Sequence, residues 1–188
     1  MNPPSSAVAE SSGTATPVPA TADTFKAVFR HHPGGAALIT AHADGRHAAF
    51  TVSSLASVSA EPPVAMFSVS SMTSSAPVLA DSETVVVHMI DAEQIDLAQI
   101  GATSGIDRFA QEHRWVALPS GERVFHEAPV WFRARIEQRV DVGGSTICVA
   151  RLLESNLPTE DPGSHPRGST LVYVDRVWHR LGEHSRIG

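Results

Sequence analysis

The stretch RHAAFTVSSLASVSAEPPVAMFSVSSMTSSAP, residues 46–77, decides the fold. Its first part carries the β-branched and aromatic residues of a strand, expected from about Arg46 to Val58. Pro62-Pro63 resets the chain into a second strand over residues 64–70, VAMFSVS. TSSAPVLAD then reads as a short helix opened by Thr73, Ser74 and Ser75, all good capping residues. Eleven Ser and Thr side chains lie from Thr51 to Ser75, and no Lys or Arg occurs between Arg46 and Arg108. A polar ligand held here is therefore met by hydroxyls, backbone N–H groups and a helix start, and any cation must arrive from elsewhere in the fold or from a partner subunit.

Outward from that block the pattern continues as strands and turns. Upstream, AALITAHA (36–43) is a buried strand, and Asp44-Gly45 supplies hairpin chemistry. Before it, Asp23 or Thr24 is placed to cap a short helix in which Phe25, Val28 and Phe29 share a face, ended by Pro33 and Gly34-Gly35. Downstream, TVVVHMI (84–90) is a strand. Asp91 and Gln94 form a capping box for a helix over 91–100 that Gly101 stops, and IDRFAQE reads as another helical piece. In VWFRARIEQRV (130–140), Val130, Phe132, Ala134, Ile136 and Val140 alternate with Trp131, Arg133, Arg135, Glu137 and Arg139, the period of a half-buried strand. Asp141–Gly144 turns the chain into STICVARLLES, residues 157–168 form a Pro/Gly loop, and LVYVDRVWHRL (171–181) closes the series as a strand pair. About seven hairpin-joined strands with two or three short helices predict a mainly β fold, an antiparallel barrel with helices at its rim.

Composition narrows the function classes. A chain of 188 residues fits one domain, expected over residues 23–183. Residues 1–22, with four prolines and the single charge Glu10, are too poor in apolar surface to fold and form a disordered tail; 184–188 are a short C-terminal tail. The net charge of −6 argues against a nucleic-acid binder. No stretch approaches a membrane span and the N-terminus has no signal-peptide pattern, so cytoplasmic localisation is the default. The single Cys148, in TICVA, reads as a buried, inert thiol. Ten scattered histidines show no H-x-x-x-H spacing, no carboxylate pair stands out, and neither glycine pair has dinucleotide-fingerprint spacing. The hydroxyl cluster is what remains, either as a ligand wall or as turn and capping polarity.

The order of segments resembles the short-chain flavin reductase family, NAD(P)H:flavin oxidoreductases with an FMN-binding split barrel. The resemblance is carried by residues 34–80, by VVVHMIDAEQIDLAQ (85–99), by DRF (107–109), by the GGST turn (143–146) and by LVYVDRVWHRL (171–181). It implies that Thr51, Val52, Ser53 and Ser54 lie along the isoalloxazine ring of FMN or FAD, and that Ser68, Ser70, Thr73, Ser74 and Ser75 lie near the ribityl chain and phosphate. It implies NADH or NADPH as co-substrate, a homodimer, and a partner monooxygenase fed with reduced flavin. One position departs from the family: where Gly-Asp-His-Thr is common, this chain has Gly143-Gly144-Ser145-Thr146, which puts Ser145 at the nicotinamide-side loop. A flavin binder with little reductase activity is the alternative, and a barrel holding another planar cofactor such as haem is a third reading.

Overall fold

A computed structural model describes residues 17–157 and 169–187. Most of the predicted tail and of the Pro/Gly loop therefore lies outside the described residues. Two strands joined by the Asp44-Gly45 turn, β2 (Ala37–Ala43) and β3 (Arg46–Val52), form the first large hairpin; a two-residue β1 (Gly34–Gly35) precedes them. Asp44 and Gly45 have φ of 50° and 73°, the left-handed pair that a tight two-residue hairpin requires.

The single long strand expected over 46–58 is in fact two. The chain leaves β3 at Val52, crosses at Ser53–Leu55 and re-enters the sheet at its far edge as β4 (Ala56–Ala60), which pairs with β5 (Pro63–Ser70). The β propensity was real at both ends; what the pattern did not reveal is that Ser53-Ser54, with no apolar side chain to bury, marks the crossing. With β6 (Thr84–Met89), β9 (Val130–Val142) and β10 (Ser145–Ser155), these strands make one antiparallel sheet in the order β3-β2-β6-β9-β10-β5-β4. The sheet curls until Phe50 of β3 and Phe67 of β5 touch, 6.2 Å between ring centroids. No strand ladder joins that seam, and Ser54 bridges it: its Oγ donates to the Ser68 carbonyl at 3.2 Å and accepts the Ser68 N–H at 2.9 Å.

The barrel interior holds Ile39, Phe50, Phe67, Val85, Val87 and Cys148 among others, with Val78 and Leu79 of α2 (Ala76–Asp81) plugging one end. Cys148 is free and fully buried, and burial pushes its thiol up, as the inert reading required. A second core lies outside the barrel wall, where Leu38 and Ala49 face Leu97 and Ala98 of α3 (Ile95–Ala102), Phe109 and Phe125. Strand β2 is thus buried on both faces. The small hairpin of β7 (Trp115–Ala117) and β8 (Arg123–Phe125), and a separate sheet of β1, β11 (Thr170–Val174) and β12 (Val177–Leu181), complete the described strands.

Several expectations are corrected here. Thr21, not Asp23 or Thr24, caps α1 (Ala22–Arg30): its Oγ1 accepts the Thr24 N–H, and Thr24 Oγ1 accepts the Thr21 N–H at 2.7 Å. Phe25, Val28 and Phe29 share a face of that helix as expected, and the face is exposed. Gly101 does not stop α3 but lies within it, because a Cβ there would come 2.3 Å from Thr51 Oγ1 and 2.5 Å from Leu38 Cδ1. Only glycine lets the helix approach the barrel this closely. Residues 106–111 are bends and turns rather than a helix, and one 3₁₀ turn follows over Glu112–Arg114. In β9 a bulge at Glu137 breaks the alternation. Beyond it Arg139 pairs with buried Cys148 and donates to the carbonyls of Leu79 and Ser82 at the end of α2, while Val140 turns outward and is exposed.

Candidate functional site

The seam between β3 and β5 opens into a cavity of ≈ 710 Å³, within the range that holds a cofactor-sized ligand. All nine residues predicted from the 51–75 block line it. The crossing at Ser53-Ser54 forms one wall, Ser68 and Ser70 of β5 the floor, and the turns from Met72 to Ser75 one end. The helix start lies later than expected: Ser75 is the N-cap of α2, whose first residue is Ala76, and Thr73 and Ser74 stand in the turns before it.

Hydrogen bonding divides the hydroxyls into two sets. Thr51 Oγ1 donates to the Ala98 carbonyl at 2.7 Å, Thr73 Oγ1 to the Ser70 carbonyl at 3.0 Å, and buried Ser75 Oγ to the Ala49 carbonyl at 3.3 Å. Together with Ser54 these side chains build the wall. The hydroxyls of Ser53 and Ser68 make no hydrogen bond among the described residues, and Ser70 and Ser74 only accept, from the Met72 N–H at 3.3 Å and from Arg108 at 3.4 Å. Val52 is buried, so it offers its main chain rather than its side chain.

Arg108 is the residue that sequence reasoning missed. It is half-buried and lines the cavity beside Ser74. Its guanidinium is fixed by two carbonyls, Nε to Ile100 at 3.2 Å and Nη2 to Thr103 at 2.8 Å, while Nη1 points to Ser74 Oγ. The signal was present, since Arg108 is the first cation after Arg46, but its distance in the chain from the hydroxyl block hid the pairing. Gly101, Ala102, Ser104 and Gly105 complete this side, their small side chains leaving the end open. A cation and a hydroxyl at one end, and free hydroxyls with a flat apolar strand at the other, suit a ligand with an anionic tail and a planar polar-edged head.

Ser145 does not line this cavity. It begins β10 directly opposite Ser70 of β5, one strand away from the floor. The Gly143-Gly144 turn before it, with φ of 55° and 85°, is tied to the cavity end by Ser71, whose N–H and Oγ both donate to the Gly144 carbonyl, at 3.0 Å and 2.6 Å.

The described histidines lie apart from this site. His88 is fully buried across the barrel wall, its Nδ1–H on the Leu38 carbonyl at 3.0 Å and its Nε2 accepting the Phe125 N–H at 3.1 Å. Burial pulls its pKa down to about 4, against a smaller upward effect of the Leu38 carbonyl, so it is neutral. His42 and His47 stack across β2 and β3 at 4.8 Å, and burial with nearby Arg123 lowers His47.

The family model described as "Flavin reductase like domain" matches residues 29–182. An NADH:FMN oxidoreductase of Rhodococcus qingshengii is 31% identical over 156 residues, 83% of this chain and 80% of its own length. The actinorhodin polyketide dimerase of Streptomyces coelicolor is 30% identical over 150 residues, 79% of this chain and 80% of its own. Among solved structures, a flavin reductase domain protein from Arthrobacter sp. FB24 superposes with a TM-score of 0.77 at 27% identity, covering 85% of this chain and 95% of its own.

Proposed function

This chain belongs to the flavin reductase-like domain family, and from that premise we propose that it is an NAD(P)H-dependent flavin reductase whose flavin sits in the cavity at the β3–β5 seam. The observation that carries the reading is the pairing of the free hydroxyls of Ser53 and Ser68 with a fixed Arg108 at opposite parts of one cavity. That set matches the two ends of FMN, a ring with a hydrogen-bonding edge and a phosphate, and the same seat takes the FMN half of FAD. The Rhodococcus relative is an NADH:FMN oxidoreductase.

A bound flavin supplies the hydride chemistry. The chain's own work is positional. Ser53, Ser68 and the main chain at Val52 hold the polar edge of the ring; Arg108 and Ser74 hold the phosphate; the Phe50 strand supplies a flat wall. Holding the reacting ring in one orientation lowers the entropic part of the barrel-side barrier to transfer. Ser145, beside Ser70, faces the nicotinamide in this reading and acts as a neutral donor where the family commonly has histidine. The open end at Met72, which is 92% exposed, suits flavin that leaves after reduction and reaches a separate monooxygenase by diffusion. A homodimer in the cytoplasm completes the proposal; the outward-facing pairs Met66–Val149 of β5 and β10 and Ile147–Val140 of β10 and β9, with Met66 and Val140 exposed, support pairing of the two copies through the barrel face.

The test is oxidation of NADH and of NADPH by the purified protein with FMN and with FAD, read beside a flavin titration. Turnover with either nucleotide supports the reductase. Flavin binding without turnover supports the second reading, a binder lacking reductase activity, which is favoured by Ser145 and by the differently named Streptomyces relative. No flavin binding removes both.

A further inference from the structure

Between the end of α3 and the 3₁₀ turn at Glu112 the chain makes bends and turns rather than a helix or a strand. Arg108, the cation of the cavity, stands within this stretch, and its neighbour Phe109 anchors it. The Phe109 ring is buried, stacks on Phe125 with centroids 5.8 Å apart, and meets Trp115 edge-on at 6.1 Å. The Arg123 guanidinium lies over two of these rings, 4.4 Å from the Phe109 centroid and 3.9 Å from Trp115. The main chain of Phe109 is tied on both sides. Its N–H donates to Asp107 Oδ1 at 2.9 Å, and its carbonyl accepts the indole N–H of Trp115 at 3.1 Å.

The platform beneath Phe109 is fastened elsewhere. Thr40 Oγ1 holds the Arg123 carbonyl and His88 Nε2 holds the Phe125 N–H, so β8 is bonded to the barrel wall. Arg114, just before β7, pairs with Asp96 of α3 and with Glu127. Trp115, Arg123 and Phe125 are thus set in place independently of the stretch that carries Arg108. The main chain is pinned one residue after Arg108, and the guanidinium is pinned on the carbonyls of Ile100 and Thr103. An arginine ordered in advance loses less rotamer freedom when an anion binds to it.

We propose that Trp115 is a positioning residue for the anionic end of the ligand. Through the Phe109 carbonyl it holds Arg108 in the cavity before the ligand arrives, and Asp107 assists at the Phe109 N–H. The proposal rests on the flavin reading above for the identity of that anion, the phosphate of FMN. Neither Trp115 nor Asp107 lines the cavity, so both act at one remove. The β7–β8 hairpin, on the far side of the second core, thereby takes a share in selecting phosphorylated flavin over riboflavin.

The experiment titrates FMN and riboflavin against the wild-type chain, Trp115→Phe, Arg108→Met and the double variant. Trp115→Phe keeps a ring beside Phe109 and Arg123 and removes the indole N–H. FMN is expected to weaken about fivefold in Trp115→Phe, and riboflavin to stay within about twofold. In the double variant FMN binds as it does to Arg108→Met, because the indole has nothing left to position. Equal losses for the two flavins, losses for FMN that multiply in the double variant, or unchanged FMN affinity in Trp115→Phe each overturn the proposal. Asp107 gives a second arm at an exposed position, where substitution spares the fold. Asp107→Ala and Asp107→Asn lose the same charge, but asparagine keeps an acceptor for the Phe109 N–H, so FMN binds the alanine variant about threefold more weakly than the asparagine one. Should Trp115→Phe fail to fold, equal FMN affinity of the two Asp107 variants overturns the proposal by itself. A chain that binds neither flavin overturns the flavin reading, and the same variants are then titrated with inorganic pyrophosphate. A several-fold loss in Trp115→Phe that vanishes in the Arg108→Met background keeps the positioning role, and the absence of any loss removes it too.

Discussion

Two regions of this barrel hold polar side chains in apolar surroundings, and they use them in opposite ways. Behind β2, His88 has both ring nitrogens occupied, Thr40 Oγ1 donates to the Arg123 carbonyl at 2.6 Å, and Glu122, 1% exposed, accepts from Thr84 and meets Arg133 at 3.5 Å. Burial pushes Glu122 up, but hydrogen bonds from Ser120 and Thr84, with the charge of Arg133, outweigh it and hold the carboxyl below its usual value. These groups stitch the 115–125 hairpin to the barrel. At the seam, by contrast, the hydroxyls of Ser53 and Ser68 are left over once the wall is built. A polar group whose partners are all in the chain belongs to the fold. One held on a cavity wall with its partner missing is available to a ligand.

The largest effect that tests this division is pH-dependent stability. Folded His88 titrates at about 4, whereas the unfolded side chain titrates near 6.5. Its pKa is depressed on folding, so above pH 6.5 both states are neutral and the stability is complete. As pH falls from 6.5 toward 4, the unfolded chain takes up a proton that the folded one refuses, and stability drops by about 3 kcal/mol. The lowered carboxylates, Glu93, Glu122 and Glu137, act in a separate window, below their ordinary pKa of 4.5. Urea midpoints measured from pH 7.5 to 5 fall in the wild type. They fall less steeply over that range in His88→Phe, where the lowered His47 still contributes; the variant is less stable at pH 7.5 by about 1–3 kcal/mol because the Phe125 N–H loses its acceptor. A variant as pH-sensitive as the wild type would place the titrating group elsewhere.

Next in size is the cation at the seam. Arg108 is fixed by carbonyls of Ile100 and Thr103 and meets no carboxylate among the described residues, so its charge is available at the cavity. A charge-assisted hydrogen bond contributes about 1.5–3 kcal/mol. Arg108→Met is therefore expected to weaken FMN binding about tenfold to a hundredfold. Riboflavin, which has no phosphate, should change by less than about threefold, and the ratio of the two affinities is the measurement. Equal losses for both ligands would make Arg108 a wall residue like Thr51 and shift it to the other side of the comparison.

Much of this was legible in the sequence, and the failures have identifiable causes. The buried strand over 36–43, the Asp44-Gly45 turn and the 145–155 strand follow from local pattern and turn chemistry. All nine hydroxyl-block residues reach the cavity because 51–54 and 68–75 are joined by one short hairpin. What was hidden depends on contacts distant in sequence. The Glu137 bulge shows only in its pairing with Val149 and Ala150, and it turns Arg139 inward. The helical place of Gly101 is set by Thr51 and Leu38. Nor can composition tell a hydroxyl that is spent from one that is free: Ser53 and Ser54 are adjacent and identical in sequence.

That adjacent pair gives the smallest and most discriminating test. Ser54 Oγ both donates to and accepts from the main chain of Ser68, closing a seam that has no strand ladder. Ser53 is exposed and its hydroxyl is unpaired among the described residues. Ser54→Ala is expected to cost about 1 kcal/mol of stability, the net worth of an intramolecular hydrogen bond at a half-buried site. Ser53→Ala should leave the urea midpoint unmoved, since a surface substitution without partners changes stability by less than about 0.5 kcal/mol. Flavin affinity should show the reverse order: Ser53→Ala loses about 1 kcal/mol of ligand contact, roughly fivefold in Kd, and Ser54→Ala loses less so long as the seam stays closed. Both measurements are made on the same two variants, so a general loosening of the crossing cannot imitate the crossed pattern. Were Ser53→Ala to lower stability and spare the flavin, the free hydroxyl would be part of the fold, and the distinction between spent and available groups would fail at the place where it is sharpest.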